Sequence, residues 1–117
     1  MKTRTQFGKP LAEQQLTQAR LAECATELWA SRGLVRRACE ALVAGAPDAK
    51  QHVAMAKLYA TEAAQRIIDA AVQLHGGMGV VVGVKVEELT RDIRPLRIYE
   101  GTSEIQKLII ARGLLKD

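Results

Sequence analysis

Between Ala49 and His75 the chain places Val53, Ala56, Ala60, Ala63, Ile67, Ala71 and Leu74 at steps of three and four. That is the period of a helix with one apolar face. Most of these residues are alanine, so a neighbouring helix can lie close against the face. A long helix with such a face has to be partnered, and the partners are expected to be helical too. Aromatic residues make up only 3% of the chain against 48% hydrophobic overall. The core therefore has to be built from Leu, Ile, Val and Ala, which favours packed helices. At 117 residues the chain is read as one domain with room for a core.

The flanking signals predict where the helices start and stop. Gly8-Lys9-Pro10 reads as a turn, with Pro10 as the first residue of a long helix reaching Val43. Leu21, Ala25, Leu28, Val35 and Leu42 mark its apolar face, and Gly33 weakens its centre. Gly45-Ala46-Pro47-Asp48 breaks the chain, and Asp48 is the expected N-cap of the second helix, from Ala49 to His75. Gly76-Gly77-Met78-Gly79 ends that helix. Val80-Val81-Val82-Gly83-Val84 has the look of a strand but no partner strand, so it is read as a buried connecting loop. A short helix from Val86 to Ile93 stops before Pro95. A final helix runs from Gly101 or Thr102 through Leu115, with Ile105, Leu108, Ile109 and Leu115 as its apolar positions. The expected fold is all-α: an antiparallel helical bundle of about four helices, two of them long.

The net charge of +4 suits an anionic partner. The charges are scattered, however, and one Phe, one Trp and two Tyr offer little to stack on bases. No nucleic-acid partner is expected. His52 and His75 have no Cys or acidic residue at ligand spacing, so no metal is expected. No apolar run is long enough to span a membrane, and the start of the chain lacks a signal-type stretch. Cys24 and Cys39 fall on one predicted helix about 22 Å apart, too far to bridge. Reduced thiols point to a cytoplasmic setting, or the mitochondrial matrix in a eukaryote.

Four segments carry candidate chemistry. In Tyr99-Glu100-Gly101 a carboxylate stands just before a helix, with a glycine that lets the backbone approach a ligand. A helix N-terminus favours the ionised carboxylate. Burial beside a ligand favours the neutral acid, and a base balanced between the two suits removal of a weakly acidic proton. The plainer reading is a capping acid and a turn glycine. In Gln73-Leu74-His75-Gly76-Gly77-Met78-Gly79 the backbone amides can approach an anion, or the glycines simply end a helix. In the Arg4 to Pro10 stretch Arg4 can pair with a phosphate and Phe7 can pack on a ring, or Phe7 can staple the first helix. Arg91, Arg94 and Arg97 form a basic series whose expected partners are Glu87, Glu88 and Asp92.

Taken in order, R-x-x-F-G-x-P-L-x-x-x-Q, then Q-L-H-G-G-x-G, then R-D, then I-Y-E-G-T-S-E-I-Q resembles the C-terminal domain of the acyl-CoA dehydrogenase family. The resemblance runs from Arg4 to Arg112. It implies a helical domain that forms homo-oligomers, a dimer or a tetramer, in an FAD-dependent enzyme that desaturates acyl-CoA thioesters. By position, Glu100 matches the base that removes the α-proton of the acyl-CoA substrate. Gly101 matches a substrate contact, and Thr102 and Glu104 match cofactor contacts. Arg4, Gln6, Phe7 and Gln15 match a segment that meets the FAD pyrophosphate and adenosine across a subunit interface. Gln73, Gly76 and Gly77 match a second interfacial FAD segment. The expected electron acceptor is an electron-transfer flavoprotein or another acceptor. The family's N-terminal helical domain and middle β-domain are not in these residues, so residues 1–117 are expected to form the C-terminal domain alone. Val80 to Val84 depart from the family pattern, which has aromatic and acidic residues there, and such a loop is left exposed where partner domains are absent. The alternative expectation is a catalytically inactive, stand-alone helical oligomerisation module.

Overall fold

The structure is a computed structural model that describes Lys2 and residues 4–116. It opens on a small hairpin: β1 (Thr5–Gln6) pairs antiparallel with β2 (Lys9–Pro10), and Gln6 faces Lys9. The connecting Phe7 and Gly8 both have left-handed backbone, with φ of 55° and 76°. A two-residue hairpin loop needs that geometry to follow the twist of its strands. Pro10 therefore ends β2 instead of opening a helix. A 3-10 turn over Leu11–Glu13 follows, and α1 starts at Gln15. The amide of Leu11 closes back on the Arg4 carbonyl at 2.9 Å, and the Leu11 side chain is buried. Phe7 staples nothing: it stands 97% exposed at the hairpin tip.

Helix α1 (Gln15–Val43) and helix α2 (Ala49–His75) are joined by the tight turn at Gly45, so they run antiparallel. Asp48 takes the N-cap position of α2 but makes no side-chain cap bond there. Its carboxylate meets His52 Nε2 at 3.1 Å instead. Helix α2 is the centre of the bundle: α1 packs along it, and α3 (Lys85–Ile93) and α4 (Ser103–Leu114) pack on its other sides. Its buried Ala49, Ala56, Ala63 and Ala70 recur at every seventh residue. They let neighbouring backbones come close. Ala63 is wholly enclosed, and enlarging it to Leu would force the helices apart at a cost of about 1 to 3 kcal/mol.

Two expected faces turn out differently. In α1 the buried residues are Thr17, Ala38 and Ala41, while Leu21, Leu28, Val35 and Leu42 are exposed. Small and polar residues fit the close α1–α2 seam better than leucine does, so the more apolar row is the open one. In α4 the buried residues are Ser103 and Gln106, while Ile105 and Leu108 are half-exposed. The segment after α2 also differs from the buried loop expected. Gly76–Val80 forms a 3-10 turn, and Val82 is 82% exposed. Because α3 folds back on α2, this loop is the outside of the reversal.

Candidate functional site

A 3-10 turn over Arg94–Arg97, with Pro95 near its start, brings the chain from α3 to the Ile98–Thr102 loop. The amides of Ile98 and Tyr99 both close on the Pro95 carbonyl, at 2.8 and 3.0 Å. Glu100 and Gly101 then take consecutive left-handed conformations, with φ of 54° and 85°. The backbone there favours glycine, and a β-carbon at Gly101 would sit 2.6 Å from Gln106 Nε2 and push that carboxamide aside. Thr102 caps α4: its Oγ1 accepts the Ile105 amide at 3.3 Å. The Glu104 carboxyl is held below its usual range, first by its own backbone amide and then by the Thr102 hydroxyl. Glu100 is exposed, and Ile98 and Tyr99 beside it leave apolar surface open to solvent.

Helix α2 grips this loop from below. Lys57 Nζ donates to the Gly101 carbonyl at 2.6 Å. Glu62 Oε1 accepts from Arg97 Nε at 2.8 Å and from Ser103 Oγ at 2.7 Å, and so brackets the loop on both sides. The Ser103 hydroxyl and then Arg97 hold the Glu62 carboxyl below its ordinary value, against burial, which acts the other way. Lys57, Glu62 and Gln106 escaped the sequence reading. Lys57 and Glu62 are 44 and 41 residues from their partners. Gln106 alone left a sign, because it closes the I-Y-E-G-T-S-E-I-Q stretch.

A second cluster forms at the far end of α2. Arg4 Nη1 donates to the His75 carbonyl at 2.6 Å, and its guanidinium lies where a β-carbon on Gly76 would stand, 2.7 Å away. Gly76 has a φ of 60°, which also favours glycine. Arg4, Gln6 and Gln73 line one groove of about 730 Å³ between the hairpin and the α1–α2 seam. Arg4 and Gly77 line an adjoining groove of about 510 Å³. Gln15 is exposed and lines neither; Gln14 takes its place and donates to the Gln6 carbonyl at 3.1 Å. The first groove offers guanidinium and carboxamide groups that can bind a phosphate, namely Arg4, Gln6 and Gln73 with Arg20 and Arg66, alongside the carboxylates Glu23 and Asp69.

The structure thus brings Arg4, Gln6, Gln73, Gly76 and Gly77 together, and separately Glu100, Gly101, Thr102 and Glu104. It does not bring the two groups to each other. Their anchors on α2, Lys57 and His75, lie about 27 Å apart at 1.5 Å per residue. Arg91 pairs with Glu87 as expected, whereas Arg97 crosses to Glu62 on α2. Among the described residues no group of three or more His, Cys, Asp or Glu stands close enough to hold a metal ion. Among those residues no helix is long and apolar enough to cross a membrane.

The family model described as "Acyl-CoA dehydrogenase, C-terminal domain" matches residues 1–115. A 3-(aryl)acrylate reductase of Clostridium sporogenes is 44% identical over 98% of this chain and 30% of its own length. The mitochondrial isobutyryl-CoA dehydrogenase of Dictyostelium discoideum is 42% identical over 100% of this chain and 28% of its own length. A crystal structure of an acyl-CoA dehydrogenase from Geobacillus kaustophilus superposes with a TM-score of 0.92 at 44% identity, covering 98% of this chain and 30% of that one. The chain thus spans less than a third of the length of these relatives.

Proposed function

The chain belongs to the acyl-CoA dehydrogenase family, matching its C-terminal domain, and on that premise we propose that it is the base-carrying domain of an FAD-dependent acyl-CoA dehydrogenase. In this reading Glu100 removes the α-proton of an acyl-CoA thioester. The observation that carries it is the left-handed Glu100-Gly101 pair, held at the N-terminus of α4 beside open apolar surface. A carboxylate there is accessible to a ligand. The Glu100 amide helps polarise the thioester carbonyl, which makes the α-proton more acidic.

Arg4, Gln6 and Gln73 hold the FAD pyrophosphate, with Gly76 and Gly77 allowing close backbone approach. Phe7, fully out at its hairpin tip, and Gln15 contact the same cofactor, as Thr102 and Glu104 do from the other cluster. Bound FAD supplies the acceptor for the β-hydrogen, which leaves as hydride. The 27 Å or so between the clusters favours sharing across copies: the Arg4 cluster of one copy serves the cofactor that meets Glu100 of another. The exposed leucine row of α1 supports a homodimer or tetramer. An N-terminal helical domain and a middle β-domain complete the pocket, and an electron-transfer flavoprotein or another acceptor takes the electrons. The mitochondrial relative fits a matrix location in a eukaryote, and a cytoplasmic one otherwise.

The reductase among the relatives favours a second reading of the same site, in which the equilibrium is used in reverse and Glu100 returns the proton. One experiment addresses both. In the flavin-loaded enzyme, Glu100→Gln is expected to keep FAD and abolish both acyl-CoA oxidation and enoyl-CoA reduction. Retained turnover in either direction would sink the assignment of Glu100.

A further inference from the structure

Glu100 occupies a left-handed backbone conformation that glycine adopts freely and glutamate does not. Such residues persist where the surroundings over-determine the backbone. Here both carbonyls of the left-handed pair are held. Gln106 Nε2 donates to the Glu100 carbonyl at 3.1 Å and to the Gly101 carbonyl at 3.2 Å. Lys57 Nζ adds a third bond, to Gly101, at 2.6 Å. A carboxamide NH₂ carries two hydrogens, so one group serves two successive carbonyls. Gln106 is only 7% exposed, in a row of α4 that faces the bundle. Packing alone would be served there by Leu or Met; burying a carboxamide is offset only by the bonds it makes.

We propose that Gln106 is the positioning residue of Glu100. It holds the left-handed backbone at residues 100 and 101 and so fixes where the carboxylate starts from, relative to the first turn of α4. Lys57 supports it from α2. Gln106 touches no substrate in this scheme; it acts through Glu100, and the proposal rests on reading Glu100 as the base.

The test compares Gln106→Met, Gln106→Lys and Glu100→Gln in the flavin-loaded enzyme, with an α-deuterated acyl-CoA as isotopic probe. Met keeps the length without the donors, and Lys restores a donor of similar reach. Gln106→Met should lower kcat by about 10- to 100-fold, because small misplacements of a reacting group cost that much. KM and FAD content should stay unchanged, and the isotope effect should rise as proton removal becomes slower relative to other steps. Gln106→Lys should recover part of the rate. Wild-type kcat and isotope effect in Gln106→Met, or equal losses in Met and Lys, overturn the proposal. Should Gln106→Met fail to fold, Lys57→Met removes the other grip on Gly101 and is read by the same criteria. Glu100→Gln separates the two ideas. If it still turns over, the base is wrong; if it is dead while Gln106→Met is normal, only the positioning role fails.

Discussion

The Ser103 hydroxyl donates to Glu62 Oε1 at 2.7 Å, joining the first residue of α4 to the middle of α2. The same oxygen accepts from Arg97 at 2.8 Å. One carboxylate thereby closes a clip around the Ile98–Thr102 loop.

The clip has a pH signature. The Glu62 carboxyl titrates below its ordinary value of 4.5, chiefly through Ser103 and also through Arg97. A carboxylate that holds its charge more firmly when folded stabilises the fold above its unfolded pKa. That contribution disappears as pH falls through the lower, folded value. Glu62→Gln should therefore cost about 0.5 to 1.5 kcal/mol near neutral pH, because solvent reaches the pair. It should cost progressively less as the pH drops below about 4.5, the unfolded reference. Urea melts across that range measure it, and a cost independent of pH would count against an ionised clip.

Gly101→Ala tests the loop's backbone. The new β-carbon meets Gln106 Nε2 at 2.6 Å while the residue is forced to keep a φ of 85°. A loss of about 1 to 3 kcal/mol is expected in thermal or denaturant unfolding. An unchanged midpoint would mean that the loop relaxes freely, and that its left-handed pair is not held in place.

Gly76→Ala probes the other cluster. Its methyl group would displace the Arg4 guanidinium, which now sits 2.7 Å from that point. The flavin-loaded enzyme should then lose its visible absorption band on gel filtration, as Arg4→Ala should. Glu100→Gln should keep the band. If all three variants retain flavin equally, the Arg4 groove has no part in holding the cofactor.

Leu21, Leu28, Val35 and Leu42 stand on α1 at heptad spacing, each close to or above half exposed. A row of this kind is suited to self-association. Light scattering should find this chain as a dimer or larger, and Leu28→Asp with Val35→Asp should return a monomer. A wild-type monomer at working concentration would assign the row to another partner.

Much of the bundle was readable because helices announce themselves. The Ala period, the Gly45-Ala46-Pro47 break and the Gly76-Gly77 stop placed α2 at the bounds it has. The last helix was expected from Gly101 or Thr102, whereas Thr102 is its cap and α4 starts at Ser103. The hairpin before α1 was missed because two-residue strands have no period to detect. The face of α1 was misread for a subtler reason. Two rows share the helical spacing, and the more apolar one is open because the α1–α2 seam is closed by Ala38, Ala41 and Thr17. At the site, Glu100 and Gly101 stood out by their local pattern, whereas Lys57 and Glu62 are brought there only by tertiary packing. A glutamine in an apolar row, such as Gln106, is a signal that can be sought in advance.

Because Lys57 anchors the Glu100 loop and His75 anchors Arg4, the stretch of α2 between them works as a gauge block. Removing one residue there would leave every side chain named above intact. It would still swing one cluster by about 100° around the helix axis and draw it in by about 1.5 Å. The length of this segment is thus as much a functional constant as any residue in it, and its tolerance to substitution should far exceed its tolerance to insertion or deletion.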